Sequence, residues 1–339
     1  MAVLAGGIAG SGLLDGMGAV DSRLSLLQRS ATRDFTLVAI DAPSLQKLGV
    51  WPWSRALHAA LIDRLMAAGA QEIAFDVDFS ARSIDGSDAA LEAALARADG
   101  HVVLAAFRQP APEGDGFTYA RPLDRFRPYV RLASINVRPD EDGRVRRFAT
   151  WDDWPEGPVP TMATVLAGAD PAALPPLFHI DFGIRPDTIP RLSFADVLDG
   201  RFDPRLVAGK RILIGATAIE LGDIAAVPAW TALPGVLIEA VAAESILQKR
   251  MMLPPPRLLA IALCGGIVLL LGPGLLGCSW RFGLLVAGTS LLGVNLMGLV
   301  IERNFAVVAS TAPYAAAIII AYASSLVGRI EQQGLRLFA

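Results

Sequence analysis

The last quarter of the chain carries almost no charge. Between residues 258 and 328 the only charged side chains are Arg281, Glu302 and Arg303. They divide this stretch into apolar runs of 23, 20 and 24 residues, at 258–280, 282–301 and 305–328. A helix needs about 20 apolar residues to cross the hydrocarbon core of a bilayer. The pattern therefore predicts three transmembrane helices, with the three charges in loops and a lipid bilayer as a partner.

The preceding part of the chain has the composition of a globular domain. Residues 30–253 hold 23 basic and 29 acidic side chains, a net charge of −6, and no basic run. Such an acidic domain is a poor nucleic-acid binder, so no nucleic acid is expected as a partner. Both cysteines, Cys264 and Cys278, lie in the first apolar run, which excludes disulfides and cysteine nucleophiles from the globular part. No cofactor is predicted.

Short apolar runs alternate with helical patterns in the first third of this domain. Strands are predicted at 35–40 (FTLVAI), 72–77 (EIAFDV) and 101–107 (HVVLAAF). Helices are predicted between them, one from the cap Ser54 to about Ala68 and one over 85–98. This alternation is typical of a parallel sheet with crossover helices.

The rest of the domain is less regular. An Asp142-Gly143 turn between apolar runs at 132–137 and 145–151 predicts a hairpin. A short helix is predicted at 161–167, a buried strand at 211–215 and a helix at 235–247 that leads to the membrane through Pro254–Pro256. The predicted class is α/β, a mostly parallel sheet with some antiparallel additions, followed by an all-α membrane region.

Residues 1–20 allow two interpretations. The apolar segment Ala2–Leu14 is too short to span a bilayer and has no basic residue before it, which argues against a signal peptide. It is either the trailing part of a transmembrane helix or a flexible glycine-rich terminus.

Three aspartates end predicted strands: Asp41, Asp76 and Asp78. Ligands of open α/β sheets bind at the carboxyl ends of strands, and converging carboxylates can hold Mg²⁺ or Ca²⁺. Aspartate also caps turns and helices routinely, so no metal ligand is assigned. The three are candidate ligand-binding residues.

The segment Gly49–Arg55 (GVWPWSR) adds Trp53 and Arg55 to the candidates. Tryptophan and arginine can form a stacking or cation–π wall. The alternative is a rigid turn anchored by tryptophan, with Arg55 paired to Asp41 or Asp76.

Asp223 is the last candidate, because it follows the predicted strand at 211–215 through a glycine turn that could cradle an anion. No P-loop, H-E-x-x-H or G-x-S-x-G motif occurs in the chain, and no G-x-G-x-x-G follows the strand at 211–215. No catalytic residue is assigned, and the chain is not expected to be an enzyme.

Three strings together resemble a known family. The segment 39–80 (AIDAPSLQKLGVWPWSRALHAALIDRLMAAGAQEIAFDVDFS) is similar to the opening of the CHASE sensory family, type two, the cyclase- and histidine-kinase-associated extracellular sensors. The segments 209–223 (GKRILIGATAIELGD) and 233–240 (LPGVLIEA) resemble the closing part of the same family. The similarity spans about residues 21–252, and three membrane helices behind it fit the family's layout.

The resemblance implies a bacterial membrane receptor. Residues 21–253 would be an extracytoplasmic sensor for an unknown signal molecule, in the inner membrane. Residues 329–339 resemble the first turns of a cytoplasmic linker to an adenylate cyclase, diguanylate cyclase or histidine kinase output. A homodimer is expected for such receptors.

Charge alone does not orient the chain. With the sensor outside, three basic residues near the C-terminal helices lie inside and four outside, which does not follow the positive-inside rule. Two other functions remain open: a membrane-anchored, metal-dependent hydrolase that uses the strand-end aspartates, and an envelope assembly protein.

Overall fold

The computed structural model describes residues 17–83, 86–111 and 116–338. The contacts divide the chain into two units, Gln28–Met251 and a second unit of the segment up to Leu27 together with Met252 onward. The predicted alternatives for the N-terminal segment fall mostly outside the described residues, which begin at Met17.

The strands are β1 (Phe35–Ile40), β2 (Glu72–Asp76), β3 (Val102–Pro110), β4 (Phe117–Ala120), β5 (Val130–Ser134), β6 (Arg147–Ala149), β7 (Trp151–Trp154), β8 (Gly157–Pro160), β9 (Leu177–His179), β10 (Arg191–Ser193), β11 (Arg211–Ala216), β12 (Ile224–Ala226) and β13 (Ala232–Pro234). The α-helices are α1 (Met17–Leu24), α2 (Ala42–Leu48), α3 (Arg55–Ala67), α4 (Asp88–Arg97), α5 (Met162–Ala167), α6 (Phe194–Asp199), α7 (Gly235–Leu247), α8 (Arg257–Leu276), α9 (Trp280–Asn304) and α10 (Ala312–Phe338).

A seven-stranded sheet forms the centre of the Gln28–Met251 unit, in the order β10-β1-β11-β2-β3-β4, with β5 also paired to β3. Every neighbouring pair is parallel except β3 and β4. The predicted α/β class, with a mostly parallel sheet, is confirmed. The carboxyl ends of β1, β11 and β2 meet at one edge, and this edge carries the candidate site.

The middle residues of the central strands are almost all apolar because both faces of the sheet are covered. All six residues of β1 are buried. Helix α3 packs Leu61 and Leu65, both fully buried, into the core on one face, and Ser54 caps its first turn as predicted. On α7 every residue from Val236 to Ile246 is buried.

The predicted hairpin at Asp142-Gly143 is wrong. The turn forms, with the Gly143 amide donating to the carbonyl of Asp140 at 2.9 Å, but the runs on either side do not pair with each other. β5 pairs in parallel with β3, and β6 pairs antiparallel with β9. The turn instead holds Arg146, whose guanidinium lies 2.7 Å from the Asp142 carboxylate.

In the second unit, three helices are long and apolar enough to cross a membrane: Arg257–Leu276, Trp280–Asn304 and Ala312–Gln332 of α10. The predicted loop positions of Arg281, Glu302 and Arg303 are wrong, because α9 begins at Trp280 and continues to Asn304. Glu302 is fully buried and lies 2.7 Å from the guanidinium of Arg23, so the helix carries its charge in a paired form.

Candidate ligand-binding site

A cavity of about 860 Å³ opens at the carboxyl end of β2. Three acidic side chains line it, namely Asp76, Asp223 and Glu239. Each comes from a different element: the end of β2, the turn after β11, and the first turns of α7. The cavity is therefore assembled from segments that are far apart in sequence.

Gly215 brings α7 close to Asp76. It stands in register with Asp76 on the neighbouring strand. A Cβ atom at Gly215 would lie 2.5 Å from Cγ2 of Val236 and 3.2 Å from Cβ of Asp76. Any side chain at position 215 would push the first turn of α7 away from the sheet. Because glycine has none, Glu239 on α7 can lie near Asp76 on β2.

Gly235 places Asp223 at the start of α7. A Cβ atom at Gly235 would lie 2.5 Å from Oδ2 of Asp223. The Gly235 amide also donates to the main-chain oxygen of Asp223 at 3.1 Å. The Asp223 carboxyl thus lies against the amino-terminal end of a helix, where a negative charge is favoured.

Glu239 lies one turn further along α7 and is only 1% exposed. Neither of its carboxyl oxygens accepts a hydrogen bond from the described residues. Burying a carboxylate without a hydrogen-bond donor is costly. The Glu239 side chain is therefore either protonated or ionised with a partner bound in the cavity.

Burial raises the pKa of all three carboxyls, and the charge of Asp223 adds to the shift of the other two. Burial raises the pKa of Glu239 well above its ordinary value, and the charges of Asp76 and Asp223 raise it further. Burial and the nearby Asp223 raise the pKa of Asp76 to about 7. Asp223 is the exposed member, and partial desolvation raises its pKa while the Gly235 amide opposes the shift. The acidic end therefore retains protons near neutral pH.

Two arginines also line this cavity. The guanidinium of Arg138 lies 2.5 Å from the Asp152 carboxylate, and that of Arg108 lies 3.6 Å from it. Asp152 is 2% exposed and also accepts a hydrogen bond from Ser134. These two arginines thus share one buried carboxylate.

Trp53, Arg55 and Asp78 line a second cavity of about 600 Å³. Arg55 is buried and its guanidinium lies 2.6 Å from Asp88, so the predicted partners of Arg55, Asp41 and Asp76, are wrong. Its guanidinium also lies 5.3 Å and 5.4 Å from the ring centres of Phe79 and Phe126. The Trp53 indole donates to the Gly49 carbonyl at 2.9 Å.

These contacts fit the rigid-turn interpretation of the segment Gly49–Arg55. His58, beside this cavity, is surrounded by aromatic rings, and burial together with the charge of Arg55 lowers its pKa to about 3. It is therefore neutral at physiological pH.

Asp41 and Asp78 are engaged in local hydrogen bonds. Oδ1 of Asp41 accepts from the Ser44 amide at 3.0 Å and from the Ser44 hydroxyl at 2.5 Å, which caps α2. Oδ1 of Asp78 accepts from the Ser80 amide at 2.7 Å. Within the described residues no group of three or more His, Cys, Asp and Glu side chains is placed to hold a metal ion. The candidate residues are thus distributed over two cavities and a helix cap.

The prediction from sequence missed Glu239. One signal was available, since Glu239 lies inside a helix that is apolar on all sides (GVLIEAVAAESIL), where a charged residue marks either a paired or a functional group. Arg108 and Arg138, which line the same cavity, gave no comparable signal. The segment around Arg138 lacks regular periodicity.

The sequence profile of the CHASE2 domain matches residues 2–275 of the chain. The chain belongs to the CHASE2 domain family. This family consists of extracellular sensor domains, so the resemblance seen in the sequence is confirmed. No curated protein and no solved structure gives a significant match to the chain. The CHASE2 match extends through the first candidate membrane helix, α8.

Proposed function

We propose that this chain is the sensing and membrane part of a receptor. Its CHASE2 domain binds a signal outside the cytoplasm and passes a conformational change through the membrane helices. The output is an adenylate cyclase, diguanylate cyclase or histidine kinase, in the same polypeptide or in a partner protein. The receptor is a homodimer in the inner membrane.

One observation within the CHASE2 domain carries this proposal. The segments that enter and leave the domain are held together by two fully buried acids, Glu244 and Asp181. Glu244 accepts hydrogen bonds from the amide of Thr32 at 2.9 Å and from its hydroxyl at 3.0 Å, and from the Gln248 side-chain amide at 2.9 Å. We call Glu244, Asp181 and their partners the junction clamp.

Asp181 makes the same kind of link. Its Oδ2 lies 2.9 Å from the guanidinium of Arg250 and 3.6 Å from that of Arg29. Arg29 belongs to the entering segment and Arg250 to the leaving segment. Both acids therefore join the two chain connections within the domain.

Helix α7 connects the junction clamp to the cavity. Glu239 lines the cavity, and Glu244 lies on the same helix, five residues further on. A signal shifts a two-state equilibrium only if it binds the two states with different affinity. A ligand that contacts Glu239 would favour one position of α7, and the junction clamp would transmit that position to both connections.

The test places an adenylate cyclase catalytic domain after Ala339 and measures cyclic AMP formation in cells. Glu244→Ala removes the Glu244 contacts of the junction clamp and leaves those of Asp181. We expect basal output to change by about twofold or more at equal protein level. Glu220→Ala, at an exposed position outside the cavity lining, is the control and should leave output unchanged. Equal output from all three proteins would reject coupling through the junction clamp.

The orientation has a separate test. Residues 30–253 contain no cysteine, so a single cysteine introduced at the exposed Glu220 can be labelled selectively once Cys264 and Cys278 are replaced by alanine. A maleimide that cannot cross membranes should label it in spheroplasts of intact inner membrane. Labelling only after lysis would place the domain in the cytoplasm and reject the proposed orientation.

A further inference from the structure

The geometry points to a binding site for a small organic cation, a protonated alkylamine, at the end of the 860 Å³ cavity where Asp76, Asp223 and Glu239 converge. This inference deepens the proposed sensing role and rests on it for its biological purpose. The binding itself can be measured without any signalling output.

The strongest observation is the unpartnered state of Glu239. The side chain is 1% exposed, lines the cavity, and has two oxygens that accept no hydrogen bond from the described residues. Buried polar groups in folded proteins are almost always hydrogen-bonded, and an exception calls for a missing partner. A donor that enters through the cavity would supply that partner.

The missing partner is a cation, because no basic side chain neutralises this end of the cavity. Within the described residues no ion pair joins Asp76, Asp223 or Glu239 to an arginine or lysine, although several other aspartates of the same unit have such a pair. An ammonium group is a positively charged donor with three N–H groups and no acceptor, so it suits the end of a cavity that is lined by carboxyl acceptors.

A metal ion fits these residues poorly. Mg²⁺ and Ca²⁺ require six or more oxygen ligands at about 2.0 to 2.6 Å, and within the described residues no group of three or more acidic side chains is placed to hold a metal ion. An anion fits this end of the cavity poorly as well, because its three acidic side chains form no ion pair with a described arginine or lysine and would repel it.

The remaining walls favour an alkyl body. Phe107, Phe117 and Ile238 line the same cavity. Its volume of about 860 Å³ falls within the usual range of small-molecule sites, about 300 to 1,000 Å³. Methylene groups of an amine would pack against these side chains while the ammonium group reaches the carboxyls.

Proton release should accompany binding. The charged groups that line the cavity are Asp76, Asp223, Glu239, Arg108 and Arg138, and α5, which packs against α7, has no titratable side chain. Burial raises the pKa of Asp76 to about 7. An ammonium ion favours the ionised carboxyls, so it displaces protons and binds more tightly as the pH rises through neutrality.

The experiment uses isothermal titration calorimetry on the full chain in lipid nanodiscs. The probes are butylamine, 1,4-diaminobutane, lysine, butyrate, MgCl₂ and CaCl₂, each at about pH 6 and about pH 8. We expect saturable binding of at least one of the three amine probes, with higher affinity at the higher pH. The comparison of butylamine, diamine and lysine distinguishes a monoamine from a diamine or an amino acid as the source of the ammonium group.

Glu239→Gln and Asp223→Asn should each weaken the binding by about tenfold or more, because each removes one charged acceptor. Asp223 is exposed, so its variant remains informative if the buried Glu239 variant misfolds. Glu220→Gln is the matched control and should bind like the unmodified chain. Binding of no amine, amine binding that both variants leave intact, or binding of Mg²⁺ or Ca²⁺ alone would overturn the inference.

The two proposals fail separately. Absence of amine binding together with a clear effect of Glu244→Ala on cyclase output would remove the alkylamine site and leave the receptor role. Amine binding without any effect of the junction clamp on output would support the site and remove the coupling route.

Discussion

Arg23 on α1 donates two hydrogen bonds to Glu302 on α9, at 2.7 and 2.8 Å. The same guanidinium also donates to the carbonyl of Ala309 at 2.6 Å and to the hydroxyl of Thr311 at 3.3 Å. Both charged side chains are buried. A charge in an otherwise apolar unit is thus accommodated by a bidentate pair with further hydrogen bonds.

Removing one partner of this pair should destabilise the membrane unit. Arg23→Met or Glu302→Leu alone leaves a buried charge without compensation and should cost about 3–5 kcal/mol. The double variant should recover most of this loss, because two apolar side chains can replace a buried ion pair. The measurement is the thermal unfolding midpoint of the full chain in detergent.

Arg303→Met serves as the control, since Arg303 is exposed and adjacent to Glu302. If both single variants unfold at the same temperature as this control, the pair contributes no stability.

Gly215→Ala should destabilise the sensor domain by about 1–3 kcal/mol, the usual cost of overpacking a core. The added methyl group would meet Val236 at 2.5 Å and Asp76 at 3.2 Å. Hydrogen exchange of β11 and α7 in the full chain measures the effect. Gly116→Ala is the control, because the nearest atom there would lie 3.9 Å away. Equal protection from hydrogen exchange in both variants would show that α7 accommodates the methyl group without a loss of stability.

Asp76→Asn should stabilise the domain on the alkaline side. The pKa of Asp76 is about 7 in the folded domain, above the value of 3.8 for an unperturbed side chain. The unfolded chain therefore loses this proton first, and Asp76 lowers the stability as the pH rises from about 4 to about 7. The variant should gain on the order of 2 kcal/mol at about pH 8 and nothing near pH 4.

Chemical denaturation of the full chain at both pH values tests this prediction. Asp153→Asn, at an exposed position outside the cavity lining, is the control. A gain that is the same at both pH values would contradict the assigned titration.

His58 should have the opposite pH dependence. Its pKa is lowered from 6.5 to about 3 in the folded domain, so the unfolded chain binds this proton first as the pH falls. The stability that neutral His58 provides is complete above about pH 6.5 and decreases as the pH falls toward 3. His58→Phe should reduce the loss of unfolding free energy between about pH 6.5 and pH 3. His101→Phe, at an exposed position, should not. If His58→Phe lost as much stability at acidic pH as the unmodified chain, other groups would be responsible for that loss.

The local elements followed from the sequence, whereas the site followed only in part, since Asp76 and Asp223 were candidates and Glu239 was not. Helix α7 has the predicted bounds, and Ser54 caps α3 as expected, because periodicity and caps are local properties. The convergence of Asp41 with Asp76 failed because β11 lies between β1 and β2 in the sheet. That insertion depends on long-range pairing, which no local pattern encodes.

Glu239 could be suspected only as a charged residue in an apolar helix. Its proximity to Asp76 and Asp223 depends on the close approach of α7 to β11 at Gly215. The pairing of Arg55 with Asp88, across a segment of 33 residues, was likewise set by tertiary packing.

The junction clamp makes the sensor domain a self-contained insert. The side-chain amide of Gln248 donates to the main-chain oxygen of Ser30 at 3.1 Å, so residues close to the two ends of the unit Gln28–Met251 are neighbours. Domains with adjacent ends can be placed in a surface loop of another protein without stretching their host. The chain from about Gln28 to Met251 could therefore be transplanted as one unit. The contacts of Glu244 and Asp181 would hold its two ends together in the new protein.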